Sequence, residues 1–180
     1  MDSENEKDAL QKIENVIGLY PDFPKKGILF RDIMPILESP VLFTSMIDIL
    51  TKRIKHLKFD RILGIESRGF LVGPQIAHKL DVPFGAIRKK GKLPGELYSV
   101  EYELEYGRDV LEVQRDRLPK DSKCIIFDDL IATGGSMKAS KDLVEMSGSS
   151  VVACVVIIEL KALKGYTKLG KAPLISLFSY

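Results

Sequence analysis

The chain has 180 residues, 45% of them hydrophobic, which suffices for one well-buried domain. Its 27 basic and 25 acidic side chains leave a net charge of +2, so no whole-chain attraction to nucleic acid or membrane is implied. No apolar run approaches the roughly 20 residues of a membrane span, and the acidic, polar residues 1–7 read as neither signal nor transit peptide. Cys124 and Cys154 lie in apolar, strand-like runs, which fits buried free thiols and a reducing, cytoplasmic setting.

Leu10, Ile13, Ile17 and Tyr20 recur at spacings near three and four, which predicts an amphipathic N-terminal helix. Residues 21–27, rich in proline and ending in Gly27, stop it, and residues 28–32 follow as a short extended piece. Phe43, Met46, Ile47, Leu50, Ile54 and Leu57 share one face of a second helix. Residues 61–65 read as a buried strand. Residues 69–80 read as a helix in which Pro74 is tolerable only near the first turn. Residues 84–88 form a second strand.

Residues 89–107 lack clear periodicity and hold Gly91, Pro94, Gly95 and Gly107; their length marks a functional or mobile segment. A strand at 110–114 returns from it. Buried strands at 123–127 and 151–158 enclose a helix from about Gly134 to Ser147, with Gly148 as its stop. Alternating strands and helices predict an α/β fold: a doubly wound, mostly parallel sheet flanked by helices, in one domain.

In such sheets ligands gather at the carboxyl ends of the strands. Four predicted strand ends carry polar groups: Glu66-Ser67-Arg68-Gly69, Arg88-Lys89-Lys90-Gly91-Lys92, Asp128-Asp129, and Glu159-Leu160-Lys161. After Asp128 and Asp129 comes the turn Ala132, Thr133, Gly134, Gly135, Ser136, leading into a helix. Glycines let backbone N–H groups approach a ligand closely. A helix N-terminus adds unpaired donors and the positive end of a dipole, which suits a phosphate. The two carboxylates would repel that phosphate, so they are better suited to neutral hydroxyls or a developing positive charge.

A capping role explains one acid placed directly before a helix, not two placed several residues earlier. The basic run 88–92 alone would read as a solvated loop. With Arg68 at a neighbouring strand end it becomes a second anion site. A phosphate site, ribose-binding acids and a second anion site together suggest a sugar carrying a phosphate and a pyrophosphate. The turn matches neither the dinucleotide nor the Walker pattern. His56 and His78 read as solvated, and no Cys/His cluster resembles a zinc site.

The thirteen residues Cys124-Ile125-Ile126-Phe127-Asp128-Asp129-Leu130-Ile131-Ala132-Thr133-Gly134-Gly135-Ser136 resemble the signature of the type I phosphoribosyltransferases. Further segments resemble the branch of that family that uses adenine: Pro21-Asp22-Phe23-Pro24, Gly27-Ile28-Leu29-Phe30-Arg31-Asp32-Ile33, Glu66-Ser67-Arg68-Gly69-Phe70, residues 88–95 and Leu104-Glu105-Tyr106-Gly107. The likeness runs from about Ile13 to the C-terminus. Two departures stand out: Ser136 where many members have threonine, and Glu66 where some have aspartate.

The resemblance implies that adenine and phosphoribosyl pyrophosphate give AMP and pyrophosphate, with Mg²⁺ held mainly by the substrate and no metal-ligand set on the protein. It implies that Ala132, Thr133, Gly134, Gly135 and Ser136 cradle the 5′-phosphate and that Asp128 and Asp129 hold the ribose hydroxyls. Ser67, Arg68, Arg88, Lys92 and Tyr106 would contact the pyrophosphate. The backbone around Leu29 and Arg31 would read the adenine edge, Phe30 and Leu160 would sandwich the ring, and Glu105 would handle the base's proton. It also implies a small N-terminal hood over about residues 1–35, a mobile catalytic loop over about 89–107, and a homodimer without nucleic-acid or membrane partners. Two alternatives stay open: a phosphoribosyltransferase for another base, and a phosphoribosyl-pyrophosphate-binding regulator or inactive paralogue without turnover.

Overall fold

The computed structural model describes residues 3–103 and 107–180. They fall into two compact units, Met1–Arg53 and Ile54–Tyr180.

The first unit contains α1 (Ser3–Asn15), β1 (Gly18–Pro21), β2 (Leu29–Asp32), the short α2 (Met34–Leu37) and α3 (Pro40–Ile54), whose last residue crosses the division. The N-terminal helix is shorter than its periodicity suggests: Ile13 and Ile17 are buried, but Tyr20 belongs to β1 and is exposed. There it pairs opposite Phe30 in an antiparallel hairpin running from Gly18↔Asp32 to Pro21↔Leu29. The hairpin loop is closed by Gly27 N–H donating to Asp22 Oδ1 (2.6 Å) and by an edge-on contact of Phe23 with Phe30. On α3 the predicted apolar face is buried at Met46, Ile47, Leu50 and Ile54. The turn α2 has no periodic signal; Asp32 Oδ1 accepts from Met34 N–H (3.0 Å) as it starts.

The second unit is built on a seven-stranded sheet. In chain order its elements are β3 (Arg61–Ile65), α4 (Gly69–Lys79), β4 (Phe84–Lys89), β5 (Leu97–Glu103), β6 (Arg108–Gln114), β7 (Lys123–Ile131), α5 (Gly135–Met146), β8 (Ser150–Glu159) and β9 (Leu174–Ser179). The spatial order is β5-β6-β4-β3-β7-β8-β9, parallel from β4 to β9, with β6 and β5 added antiparallel at one edge. The mostly parallel, doubly wound α/β reading is therefore correct.

Two crossovers leave the centre of this sheet in opposite directions, β3–α4–β4 to one side and β7–α5–β8 to the other. Right-handed connections then put α4 and α5 on opposite faces. The alternation of side chains agrees. Leu63, Ile65, Ile126 and Val156 share a buried cluster with Met137, Leu143 and Val144 of α5. On the other face, glycines at 64 and 73 make room for the Phe84 ring: a Cβ at Gly73 would lie 2.7 Å from it. The point between β3 and β7 where the winding reverses is where such sheets hold ligands.

Three expectations change. Pro74 is the sixth residue of α4, not in its first turn. It cannot donate to the carbonyl four residues back, so packing of the helix on the sheet outweighs that loss. Segment 89–107, read as lacking periodicity, contains β5, which pairs with β6 along its whole length. Finally, β7 continues four residues past Phe127. Its last partner in β3 is Gly64, opposite Phe127, but Asp128, Leu130 and Ile131 stay paired with Val156, Ile158 and Glu159 of β8. The acids thus lie inside a strand, on the stretch that β3 has already left. Strand β9, not anticipated, completes the sheet beside β8.

Candidate active site

Where β3 stops and β7 continues, a cavity of about 540 Å³ opens at the carboxyl end of the sheet. Its walls come from several elements. Glu66, Ser67 and Arg68 follow β3; Lys89 and Lys92 come from the end of β4 and beyond; Asp128 and Asp129 lie on β7; and residues 132–136 lead into α5. Tyr102 and Glu103 of β5 close one side. Ten of the residues singled out in sequence meet here: Ser67, Arg68, Lys92, Asp128, Asp129, Ala132, Thr133, Gly134, Gly135 and Ser136.

The turn is shaped for an anion. Gly134 takes a left-handed conformation (φ 77°) as the residue before α5, and no side chain caps that helix. Its first N–H groups therefore have no intrahelical acceptor and suit an anion at the helix start. Glycine is needed here twice, for the positive φ and because a Cβ would collide with the carbonyl oxygen of Gly165.

Asp128 and Asp129 are both buried. Asp128 Oδ1 accepts from the Asp129 backbone N–H (2.9 Å), and Asp129 Oδ2 pairs with Arg68 Nε (3.0 Å). Burial, then the charge of Asp129, pushes the Asp128 carboxyl well above the usual range. Burial also raises Asp129, against the opposing pull of Arg68. A pair held in this way gains from hydroxyl donors or from positive charge brought into the cavity.

The cations carry counter-charges from the protein. Glu66 accepts from Lys92 Nζ (2.7 Å), the Lys89 backbone N–H (3.0 Å) and Arg88 Nε (3.3 Å). Burial pushes the Glu66 carboxyl up, but those hydrogen bonds, led by Lys92, outweigh it and hold the group down at about 2. Lys89 Nζ pairs with Asp109 (3.2 Å), which also accepts from the Tyr102 hydroxyl (3.4 Å). Burial, with the nearby Asp109 charge, pushes that phenol up to about 12.

Other predicted site residues are placed elsewhere. Arg88 does not line the cavity; it reaches Glu66 and the Lys92 carbonyl oxygen (3.2 Å). Leu160 follows β8, half-buried and outside the cavity wall, and Glu159 beside it accepts from Ser179 Oγ (2.9 Å). Leu29, Phe30 and Arg31 form part of β2 in the first unit. Glu105 and Tyr106 lie outside the described residues.

The sequence profile of the Phosphoribosyl transferase domain family matches residues 35–170, three quarters of the chain, including the acid pair and the anion turn. The chain belongs to the phosphoribosyltransferase family. Curated relatives place it among the adenine phosphoribosyltransferases. The enzyme so named from Trichodesmium erythraeum (strain IMS101) is 47% identical over 169 residues, covering 94% of this chain and 99% of that one. The Rattus norvegicus enzyme is 47% identical over 174 residues, covering 95% and 97%. Among solved structures, adenine phosphoribosyltransferase of Thermoanaerobacter pseudethanolicus superposes with a TM-score of 0.93 at 45% identity, covering 95% of this chain and 99% of that one. The Saccharomyces cerevisiae enzyme, solved with an imino-altritol bisphosphate and adenine, gives 0.90 at 43% identity, covering 95% and 99%.

For a phosphoribosyltransferase site, the sequence reading assigned no role to Glu66, Tyr102 and Glu103, and took Lys89 only as part of the basic run 88–92. Glu66 was visible as a charged strand end beside Ser67 and as a departure from the family pattern, with no role attached to it. Tyr102 could have been found from the alternation of Tyr98, Val100 and Tyr102 with Ser99, Glu101 and Glu103, a half-buried strand pattern.

Proposed function

We propose that this chain is a purine salvage enzyme that transfers the 5-phosphoribosyl group from phosphoribosyl pyrophosphate to adenine, giving AMP and pyrophosphate. The observation that carries the reading is one cavity with a buried acid pair between an anion turn and a basic side. The relatives named above support the choice of base. So does the Trypanosoma brucei enzyme, 33% identical with a TM-score of 0.87, solved with AMP, pyrophosphate and ribose-5-phosphate.

In this reading Ala132, Thr133, Gly134, Gly135 and Ser136 bind the 5′-phosphate, and Asp128 and Asp129 accept from the ribose hydroxyls. Ser67, Arg68 and Lys92, which line the cavity, take the pyrophosphate, while Arg88 and Tyr106 as further pyrophosphate contacts rest on the family resemblance. Arg68 carries five donors, so it can hold Asp129 and a phosphate oxygen together. The bond from the anomeric carbon to the pyrophosphate oxygen breaks as the bond to adenine N9 forms. Positive charge builds on the ribose in between, and fixed carboxylates beside it lower that barrier. Leu29, Phe30, Arg31 and Leu160 as adenine contacts, and Glu105 as acceptor of the N9 proton, rest on the family resemblance.

The donor set fits a substrate-held Mg²⁺. Asp128 and Asp129 offer hard oxygens in the cavity. Magnesium commonly takes most of its ligands from phosphate and water. When bound, it would neutralise pyrophosphate charge.

A homodimer and a cytoplasmic location belong to the same proposal. The second is supported by two buried, free cysteines, and among the described residues no helix is long and apolar enough to cross a membrane. Light scattering at micromolar concentration and fractionation of the native host test the two in turn.

The deciding experiment supplies phosphoribosyl pyrophosphate and Mg²⁺ with adenine, hypoxanthine, guanine, uracil or orotate in turn. Product from adenine alone is expected. Product from another base would overturn the base assignment, and binding without any product would make the chain a regulator or inactive paralogue.

A further inference from the structure

The anion turn is braced from outside the cavity. Gly165 starts the 3-10 turn Gly165–Leu169, is buried, and is not part of the cavity wall. A Cβ on Gly165 would collide with the carbonyl oxygen of Ala132 and lie 2.8 Å from the backbone nitrogen of Gly134. The fit is reciprocal, since a Cβ on Gly134 would collide with the carbonyl oxygen of Gly165 and lie 3.0 Å from its Cα. Two backbones are therefore in contact, with no side chain between them. Space, not a left-handed backbone, excludes a larger residue at 165, because its φ lies outside the left-handed range.

Both flanks of this turn are tied down. Leu169 is 1% exposed in the cluster that holds Met137, Leu143 and Val144 of α5. Five residues before Gly165, the Leu160 backbone N–H donates to the carbonyl oxygen of Ile131 (3.0 Å), at the end of β7. The brace is thus fastened to the strand that enters the anion turn and to the helix that leaves it.

We propose that Gly165–Leu169 is a positioning element for the anion turn, acting through Gly165 to fix the direction of its backbone N–H donors before substrate arrives. The inference rests on the 5′-phosphate role proposed for residues 132–136. Hydrogen bonds weaken steeply with misalignment, and relieving a Cβ collision needs a backbone shift on the order of 1 Å. Donors displaced by that much lose phosphate affinity, while the groups after β3 and β4, on the other side of the cavity, do not move.

Binding and local opening are linked: a ligand that needs the brace closed must suppress its opening. The Thr167 amide, bonded to the Lys164 carbonyl oxygen (3.0 Å), reports that opening. With wild-type protein, saturating ribose 5-phosphate is expected to slow its hydrogen exchange at least tenfold, and pyrophosphate less than twofold. Gly165→Ala is expected to weaken ribose 5-phosphate at least tenfold in calorimetry and to leave pyrophosphate within twofold. Equal protection by both ligands, or none by ribose 5-phosphate, overturns the inference even where the variant does not fold. Unchanged ribose 5-phosphate affinity in the folded variant does the same. Failure of the wild type to bind ribose 5-phosphate at all removes the parent reading of the turn, and the inference with it.

Discussion

Replacing Glu66 by glutamine keeps its shape and removes its charge. The carboxylate receives three donors, from Lys92, Lys89 and Arg88, and its side chain is 9% exposed. Its group is held at about 2 against an ordinary value of 4.5. The full shift would correspond to about 3 kcal/mol. Arg88 and Lys92 are 34% and 49% exposed, so solvent screening reduces this to about 1–2 kcal/mol. Because the folded value is depressed, the charged form stabilises the fold above pH 4.5, and the contribution fades as pH falls from there toward 2. Two-state titration places less than half of it, roughly two fifths, at pH 3. The assay is urea unfolding of wild type and Glu66→Gln at pH 7, 5, 4 and 3. A wild-type advantage of about 1–2 kcal/mol at pH 7 that shrinks below pH 4.5 is expected. An advantage that stays constant with pH, or none at pH 7, would refute the assignment of Glu66 as counter-ion to this cation pair.

Asp129→Asn removes a charge beside the proposed ribose and weakens its pairing with Arg68; kcat/KM should drop about 100-fold, and steady-state kinetics close to wild type for it and Asp128→Asn would take the acids out of the mechanism. Gly134→Ala forces a side chain into a left-handed position against Gly165, so calorimetry should record a loss of at least about 2 kcal/mol; an unchanged melting temperature would show that the turn relaxes freely. Glu105→Gln should lower kcat more than it raises KM for adenine, and a kcat equal to wild type would return Glu105 to a structural role. Cys124 and Cys154 are 0% exposed and burial pushes both thiols up to about 12. Native protein at pH 8 should therefore resist iodoacetamide until denatured; rapid modification of the native state would contradict that burial.

Much of the fold could be read from local pattern, because one buried face leaves a periodic trace. The helix face at Met46, Leu50 and Ile54 and the apolar runs of β3, β7 and β8 all turned out buried. The second face of the sheet was harder to read, since its room comes from glycines at 64 and 73 that act only when Phe84 folds over them. Strand β5 alternates cleanly, yet glycines and prolines just before it masked the signal.

For the site, residue types and their order already marked Asp128, Asp129 and the turn 132–136, because a carboxylate pair and a glycine turn before a helix have few other uses. The likeness to a family then supplied roles that no spacing states. What folding alone decided is how these groups meet. The acids are buried and accessible from one side because β3 ends at Ile65 while β8 runs on to Glu159. Arg68 reaches Asp129, and Glu66 gathers Arg88 and Lys92, across 22 to 61 positions of chain. Gly165 meets Gly134 from a segment that carries no motif. A sequence records which chemistry a residue can perform and how its near neighbours alternate; distances between remote residues are set by sheet order and backbone contact, which arise only when the whole chain packs.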